Sequence, residues 1–238
     1  IHPGYPLADA VGGLFGAFSI LAALRGVDKH RTQGEEIDLS LTEATLRVLE
    51  NIAIEYDQLG SVRQRMGNHN QYTAPSNVYQ TSDGHYVTVA SSTESTFKAN
   101  MSAIDQDELA RDPRFASNTQ RMAHNAELDQ YFAAYIGKHN LEDVLASFRA
   151  NKGAIAPVYS IEQIFNDEQF SAREALIPVD DADFGHVRMQ GVVPKMRNAP
   201  GHIRWSAGDV GVDNTLLYKD LLGLSDEELD RLGKAKVI

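Results

Sequence analysis

Small and apolar residues dominate positions 10–24, with Gly12, Gly13, Gly16, Ala17, Ala22 and Ala23 among them. The run predicts a helix from Ala10 to about Gly26, narrow enough for another backbone to approach closely. Each glycine lowers helix propensity by about 1 kcal/mol relative to alanine, so this helix needs tertiary packing and is expected to be buried. A charged turn over 28–34 follows. Glu36-Ile37-Asp38-Leu39-Ser40-Leu41 then alternates polar and apolar side chains, as a half-buried strand does. Ser40 and Glu43 have capping-box spacing and open a predicted helix to about Leu59, with Leu46, Leu49, Ala53 and Tyr56 recurring at helical spacing.

Positions 60–75 are rich in Gly, Asn, Gln and Arg and read as loop. Val78-Tyr79, a Ser82-Asp83-Gly84 turn and the run from Tyr86 to Ala90 predict a β-hairpin. Helices are expected near 94–104, 118–137 and 141–151, a short strand over 155–159, and a helix over 161–176 behind the cap Ser160. Pro178, Pro194 and Pro200 break 177–205 into extended pieces. Two further helices follow, one near 214–222 and one opened by the capping pair Ser225 and Glu228.

At 238 residues the chain can form one large domain or two small ones, and its 42% hydrophobic content excludes general disorder. A net charge of −11 argues against a general binder of nucleic acid or anionic membranes. With no cysteine there is no disulfide framework, thiolate nucleophile or cysteine metal site, and a cytoplasmic location fits. The apolar run is about 15 residues, short of the ~20 a membrane span needs, and it lacks the basic flank of a signal peptide. The chain opens at Ile1 rather than Met, and a buried helix so close to it predicts missing upstream sequence.

Asp9 stands just before the small-residue helix, at the expected N-cap. A carboxylate there accepts backbone N–H groups and faces the positive end of the helix dipole, which favours its ionised form. The pattern alone leaves both simple capping and a reactive carboxylate open. His69, His85, His124, His139, His186 and His202 lack metal-ligand spacing, so no metal is expected. There is no phosphate loop, dinucleotide fingerprint or nucleophile elbow, and Trp205 is expected in the core.

The successive runs PLADAVGGLFGAFSILAAL, GEEIDLSLTEA, GNHNQYTAPSNVYQTSDGHYVTVA, DPRFASNTQR, APVYSIEQIFNDEQFSARE and LLGLSDEELDRLGKAKVI resemble the family III CoA-transferases, a group that includes the α-methylacyl-CoA racemases. The resemblance covers essentially the whole chain in the family's order. It implies an α/β fold class: the end of a Rossmann-like large domain over 1–41, a linker helix over 42–64, a smaller α+β domain over 65–165, and a return segment over 166–238. It also implies an interlocked homodimer at full length, acyl-CoA and carboxylic acid substrates, and coenzyme A as co-substrate with no tightly bound cofactor. Nucleic acid and membrane partners are not implied.

Asp9 matches the family's catalytic aspartate, which attacks the thioester and forms covalent aspartyl intermediates. Backbone N–H groups near Gly12 and Gly13 are then candidates for the oxyanion, and Leu41 matches a position near the CoA adenine. The 67–75 loop matches the segment facing the active site, making Asn68 and Gln71 candidate substrate contacts. Formyl-CoA transferases carry polyglycine there, so formyl or oxalyl specificity is not expected. Glu94 falls near an acidic residue of the racemases, which pair the aspartate with an upstream histidine; His2 does not match that histidine. The family binds most of the CoA nucleotide upstream, so this polypeptide alone is expected to bind CoA poorly and to be inactive. The alternatives are a racemase using Asp9 as acid and base, and a non-catalytic fragment in which Asp9 only caps a helix.

Overall fold

The structure, a computed structural model, describes residues 4–238; His2 lies outside them. The chain divides into two compact units, one ending at Gly67 and one comprising Asn68–Ile238.

In the first unit α1 spans Leu7–Asp28, α2 Leu41–Arg47 and α3 Ile52–Leu59. α1 begins three residues before the predicted start because Pro6 is its N-cap, and the Ala10 N–H reaches the Pro6 carbonyl at 3.0 Å. The expectation of a buried helix is corrected: of its residues only Gly12 is buried, while Leu14, Phe18 and Leu21 are 74%, 72% and 67% exposed. At 22 residues α1 is also long and apolar enough to cross a membrane, by length and composition. Residues 32–40 form no strand, against the alternation read over 36–41. A strand needs a neighbour for its backbone groups, and among the described residues no strand pairs with this segment.

Ser40 caps α2 as predicted by accepting from the Glu43 amide. The single helix expected to Leu59 is nevertheless split over 48–51, where Glu50 adopts a left-handed backbone (φ 58°) that no helix interior accommodates. α3 ends as helices commonly do, on a glycine with positive φ, Gly60.

The second unit begins with the predicted hairpin: β1 (Ser76–Gln80) pairs antiparallel with β2 (Tyr86–Ala90), which pairs antiparallel with β3 (Ile155–Pro157). Alternation along β2 turns Val87 and Val89 inward, both fully buried. Against this sheet lie α4 (Glu94–Ala103), α5 (Asn118–Ala123), α6 (Asn125–Ile136) and α7 (Leu141–Ala150). Phe97, Met101, Phe115, Leu128, Phe132, Ile136, Val144 and Phe148 close the core with essentially no exposure. Leu128, Phe132 and Ile136 recur every four residues on α6, the stripe a core-facing helix requires. His124 interrupts the helix predicted over 118–137, with its backbone at φ −114°.

Ser160 forms a reciprocal capping box with Gln163 at the start of α8 (Ile161–Asn166). Asp167 then leaves helical geometry and caps α9 (Glu168–Ala172), splitting the predicted helix. β4 (Leu176–Asp181) and β5 (Gly185–Gln190) form a second hairpin within the stretch read as extended pieces. A π-helical segment over Thr215–Leu221 and α10 (Asp226–Lys234), capped by Ser225, follow. Trp205 is 57% exposed rather than in the core. It sits in the proline-broken stretch, where no described helix or strand covers it. The fold is of mixed helix and sheet, and every strand pair among the described residues is antiparallel.

Candidate active site

Asp9 is not the helix cap that its sequence position suggested. It is the third residue of α1, and Pro6 caps the helix with no side-chain bond. The reason is local: Leu7 and Ala8 already take helical geometry, with the Leu7 N–H held by Tyr5 at 2.8 Å. The carboxylate remains in the first turn of the helix and is exposed to solvent.

One turn on, Gly13 lies on the same face of the helix, and a β-carbon built there meets nothing within 4 Å. The space beside the carboxylate is therefore open. Gly12 has the opposite surroundings. Its missing side chain is replaced by Leu41, whose Cδ2 would lie 2.3 Å from a β-carbon at this position. Gly16 meets Leu39 in the same way at 3.4 Å, so the glycines at 12 and 16 make a shallow seat for the 39–41 segment. Leu41 is thus the first residue of α2 rather than a strand end, and it covers Gly12.

The oxyanion role considered for the Gly12 and Gly13 amides is corrected by the same helix. Both residues lie in its interior, where N–H groups are consumed by carbonyls four residues back. Helix geometry instead leaves the Ala8 and Asp9 amides of the first turn without intrahelical partners.

Asn68, Gln71 and Glu94 belong to the second unit. Glu94 opens α4, and its carboxylate takes two parallel bonds from Arg121, at 2.9 Å each. This pairing holds the Glu94 carboxyl below the ordinary glutamate range. Arg121 is 1% exposed and also donates to the Ala74 carbonyl at 2.9 Å and the Phe115 carbonyl at 3.1 Å, with its guanidinium over the Phe97 ring. Glu94 and the 67–75 loop are in this way tied to one buried cation.

Sequence reasoning missed the rest of that arrangement. Asn118 donates to the Tyr72 carbonyl and accepts from the Ala74 amide. Asn125 reaches His69, and Asp129 lies 3.3 Å from the other side of the same ring. Asn118, Arg121, Asn125 and Asp129 stand three, four and four residues apart, a polar stripe at helical spacing beside the apolar one at Leu128, Phe132 and Ile136. That double periodicity is the signal that would have found them.

A cavity of about 490 Å³ is bounded by residues between Glu174 and Ile203, among them Ile177, Lys195 and His202. It holds none of the candidates above. Among the described residues no group of three His, Asp or Glu side chains could hold a metal ion.

Comparison with known proteins gives this geometry a context. The chain is 33% identical over 236 residues to a succinyl-CoA–D-citramalate CoA-transferase of Chloroflexus aurantiacus, covering 99% of this chain and 58% of the relative. It is 29% identical over 181 residues to a succinate–glutarate CoA-transferase of Agrobacterium fabrum, covering 76% of this chain and 44% of the relative. The chain thus spans about half the length of the curated relatives it matches. A CAIB/BAIF family protein from Brucella suis superposes on it with a TM-score of 0.74 at 26% identity, over 93% of this chain and 57% of that one. The model of CoA-transferase family III matches residues 1–214, which is most of the sequence, and the chain belongs to that family.

Proposed function

We propose that this chain carries the nucleophile of an enzyme that moves coenzyme A between an acyl-CoA thioester and a carboxylic acid, with Asp9 as that nucleophile. The observation that carries the reading is the exposed Asp9 carboxylate in the first turn of α1, with open space over Gly13 one turn away. A carboxylate is a modest nucleophile, but positioning supplies effective molarities of about 10⁵ M or more.

Ionised Asp9 attacks the thioester carbonyl. The C–S bond breaks, leaving an acyl-aspartyl anhydride and CoA thiolate. The thiolate then attacks the aspartyl carbonyl, forming an aspartyl-CoA thioester and releasing the donor acid. An acceptor carboxylate reverses both steps and leaves as its CoA thioester. No nucleotide is hydrolysed, because the anhydride keeps the acyl group activated. The amides of Ala8 and Asp9 are the nearest backbone donors for the oxyanion of each tetrahedral intermediate.

The relatives named above act with succinyl-CoA or succinate, which recommends short dicarboxylic acids as the first substrates to try. The 238 residues alone are proposed to bind CoA poorly and to be inactive, the active form being a longer cytoplasmic protein that pairs with a second copy. The reading of Asp9 as a mere helix cap is weakened, because Pro6 occupies that position.

The test uses the protein at its native length, incubated with succinyl-CoA and then hydroxylamine. A hydroxamate on Asp9, found by peptide mass spectrometry, is the expected result. Turnover without that modification would overturn the covalent mechanism. Exchange of the α-proton with deuterated water, without any acceptor acid, would assign the racemase reaction instead.

A further inference from the structure

The stretch broken by prolines builds a pocket from segments that approach one another closely. Gly191 donates its N–H to the Ala175 carbonyl at 2.9 Å, and a β-carbon at Gly191 would come 2.7 Å from the Glu174 carbonyl oxygen. A β-carbon at Gly201 would come 2.6 Å from Val192 Cγ1. Residues without side chains allow these approaches, and the same segments line the cavity of about 490 Å³. Its volume is that of a small-molecule site. Ile177, Val192, Met196 and Ile203 give it an apolar lining.

Glu174, Lys195 and His202 share that lining. Glu174 follows the end of α9 with a left-handed backbone at φ 47°, a conformation that helix ends usually give to glycine. A glutamate held there carries a backbone cost, and such costs gather at functional sites. Its carboxylate accepts from Lys195 Nζ at 2.6 Å, and this bond holds the Glu174 carboxyl below the ordinary glutamate range. An ammonium has three N–H donors, so Glu174 leaves two of them for a ligand. The Lys195 side chain is 38% exposed, laid against the wall yet open to an incoming group. His202 has no hydrogen-bond partner among the described residues and offers a further N–H.

We propose that this cavity binds a small carboxylic acid with an apolar body, its carboxylate on Lys195 and its body against Ile177, Val192, Met196 and Ile203. The ammonium selects an anion, and the apolar walls favour a hydrocarbon chain over water. Glu174 competes with the ligand, since it occupies one donor and repels a second carboxylate. The proposal stands independently of the chemistry assigned to Asp9.

The test uses the protein at its native length, isotope-labelled at its methionine methyl groups and observed by NMR, with hexanoate as the probe. The Met196 signal is identified by its loss in Met196→Leu. Hexanoate shifts that signal saturably, whereas hexylamine, with the same chain and the opposite charge, does not. Lys195→Met weakens hexanoate binding by about tenfold or more, the scale of one bond to a charged group. Glu174→Gln strengthens it several-fold, because the competing charge goes while the lysine stays. A salt bridge with only a structural role would make both substitutions act in the same direction.

A Met196 signal that hexanoate leaves in place overturns the site, including the case in which other parts of the longer chain fill the cavity. Equal shifts from hexylamine mean apolar adsorption only and overturn the assignment of a carboxylate. The anchor on Lys195 is overturned if Lys195→Met binds hexanoate as the parent does, or if Glu174→Gln weakens binding.

Discussion

α1 and α6 are both helices rich in apolar residues, yet they meet solvent in opposite ways. α6 gathers Leu128, Phe132 and Ile136 on one stripe, and all three are fully buried against the sheet and its neighbouring helices. α1 is apolar on every side, and its one buried residue is a glycine. The first unit buries only Gly12 and Ala44 among its described residues, so α1 has far more apolar surface than that unit covers. Periodicity therefore carries information that apolarity alone lacks. A striped helix specifies the core it joins, whereas a uniformly apolar one specifies only that something must cover it.

The largest expected effect separates chemistry from stability on α1. Asp9→Asn in the native-length protein should abolish transfer by at least about 10³-fold, the scale for loss of a covalent nucleophile, with an unchanged unfolding transition. A variant that transfers CoA normally would remove the site from this helix.

Next in size is a direct contrast of two phenylalanines. Phe132→Ala should cost about 4 kcal/mol of stability in urea titration, because it empties a filled core site. Phe18→Ala in the same chain should change it by no more than about 0.5 kcal/mol, since that ring is 72% exposed. Equal losses would mean that α1 is packed after all.

A smaller effect depends on pH. The Arg121 bonds depress the folded Glu94 carboxyl, so its stabilisation is fully present above the ordinary value near 4.5 and is lost as pH falls through the folded value. Glu94→Gln should lower stability near neutrality by about 1 kcal/mol or less, given its exposure, and should flatten the acid limb of a circular-dichroism titration. An unchanged acid limb would show that the pair is not a source of acid sensitivity. The smallest effect is at Gly13, where alanine has room and should raise stability by about 0.5 kcal/mol through helix propensity. In the native-length enzyme the same substitution should slow turnover, since a methyl group would then occupy the space next to Asp9.

Much of the second unit was legible from pattern. The hairpin at 76–90 showed itself through alternation and a Ser82-Asp83-Gly84 turn, and the caps Ser160 and Ser225 each hold the helix start that their spacing implied, as Ser40 does in the first unit. The helix breaks at Glu50, His124 and Asp167 were not legible, because each is a single-residue change of backbone geometry inside a good helical pattern. The strand at 36–41 failed for a different reason. Alternation records which side chains face which way, but a strand also needs a partner, and periodicity does not supply one. Asp9 was placed correctly at the start of α1, although it is the third residue there rather than the N-cap. The supports of the 67–75 loop went unread because Asn118, Arg121, Asn125 and Asp129 look individually like ordinary surface residues, and only their common spacing joins them.

Because Asp9 and Gly13 ride on one continuous rod, a single turn apart, no hinge can alter the angle between them. Under the proposed mechanism, any opening or closing that brings a thioester to the carboxylate moves other parts of the protein against a carboxylate and an open space that travel together. On that proposal substrate choice is set by the surfaces that meet this rod, while the rod itself keeps the carboxylate and the space over Gly13 in fixed register.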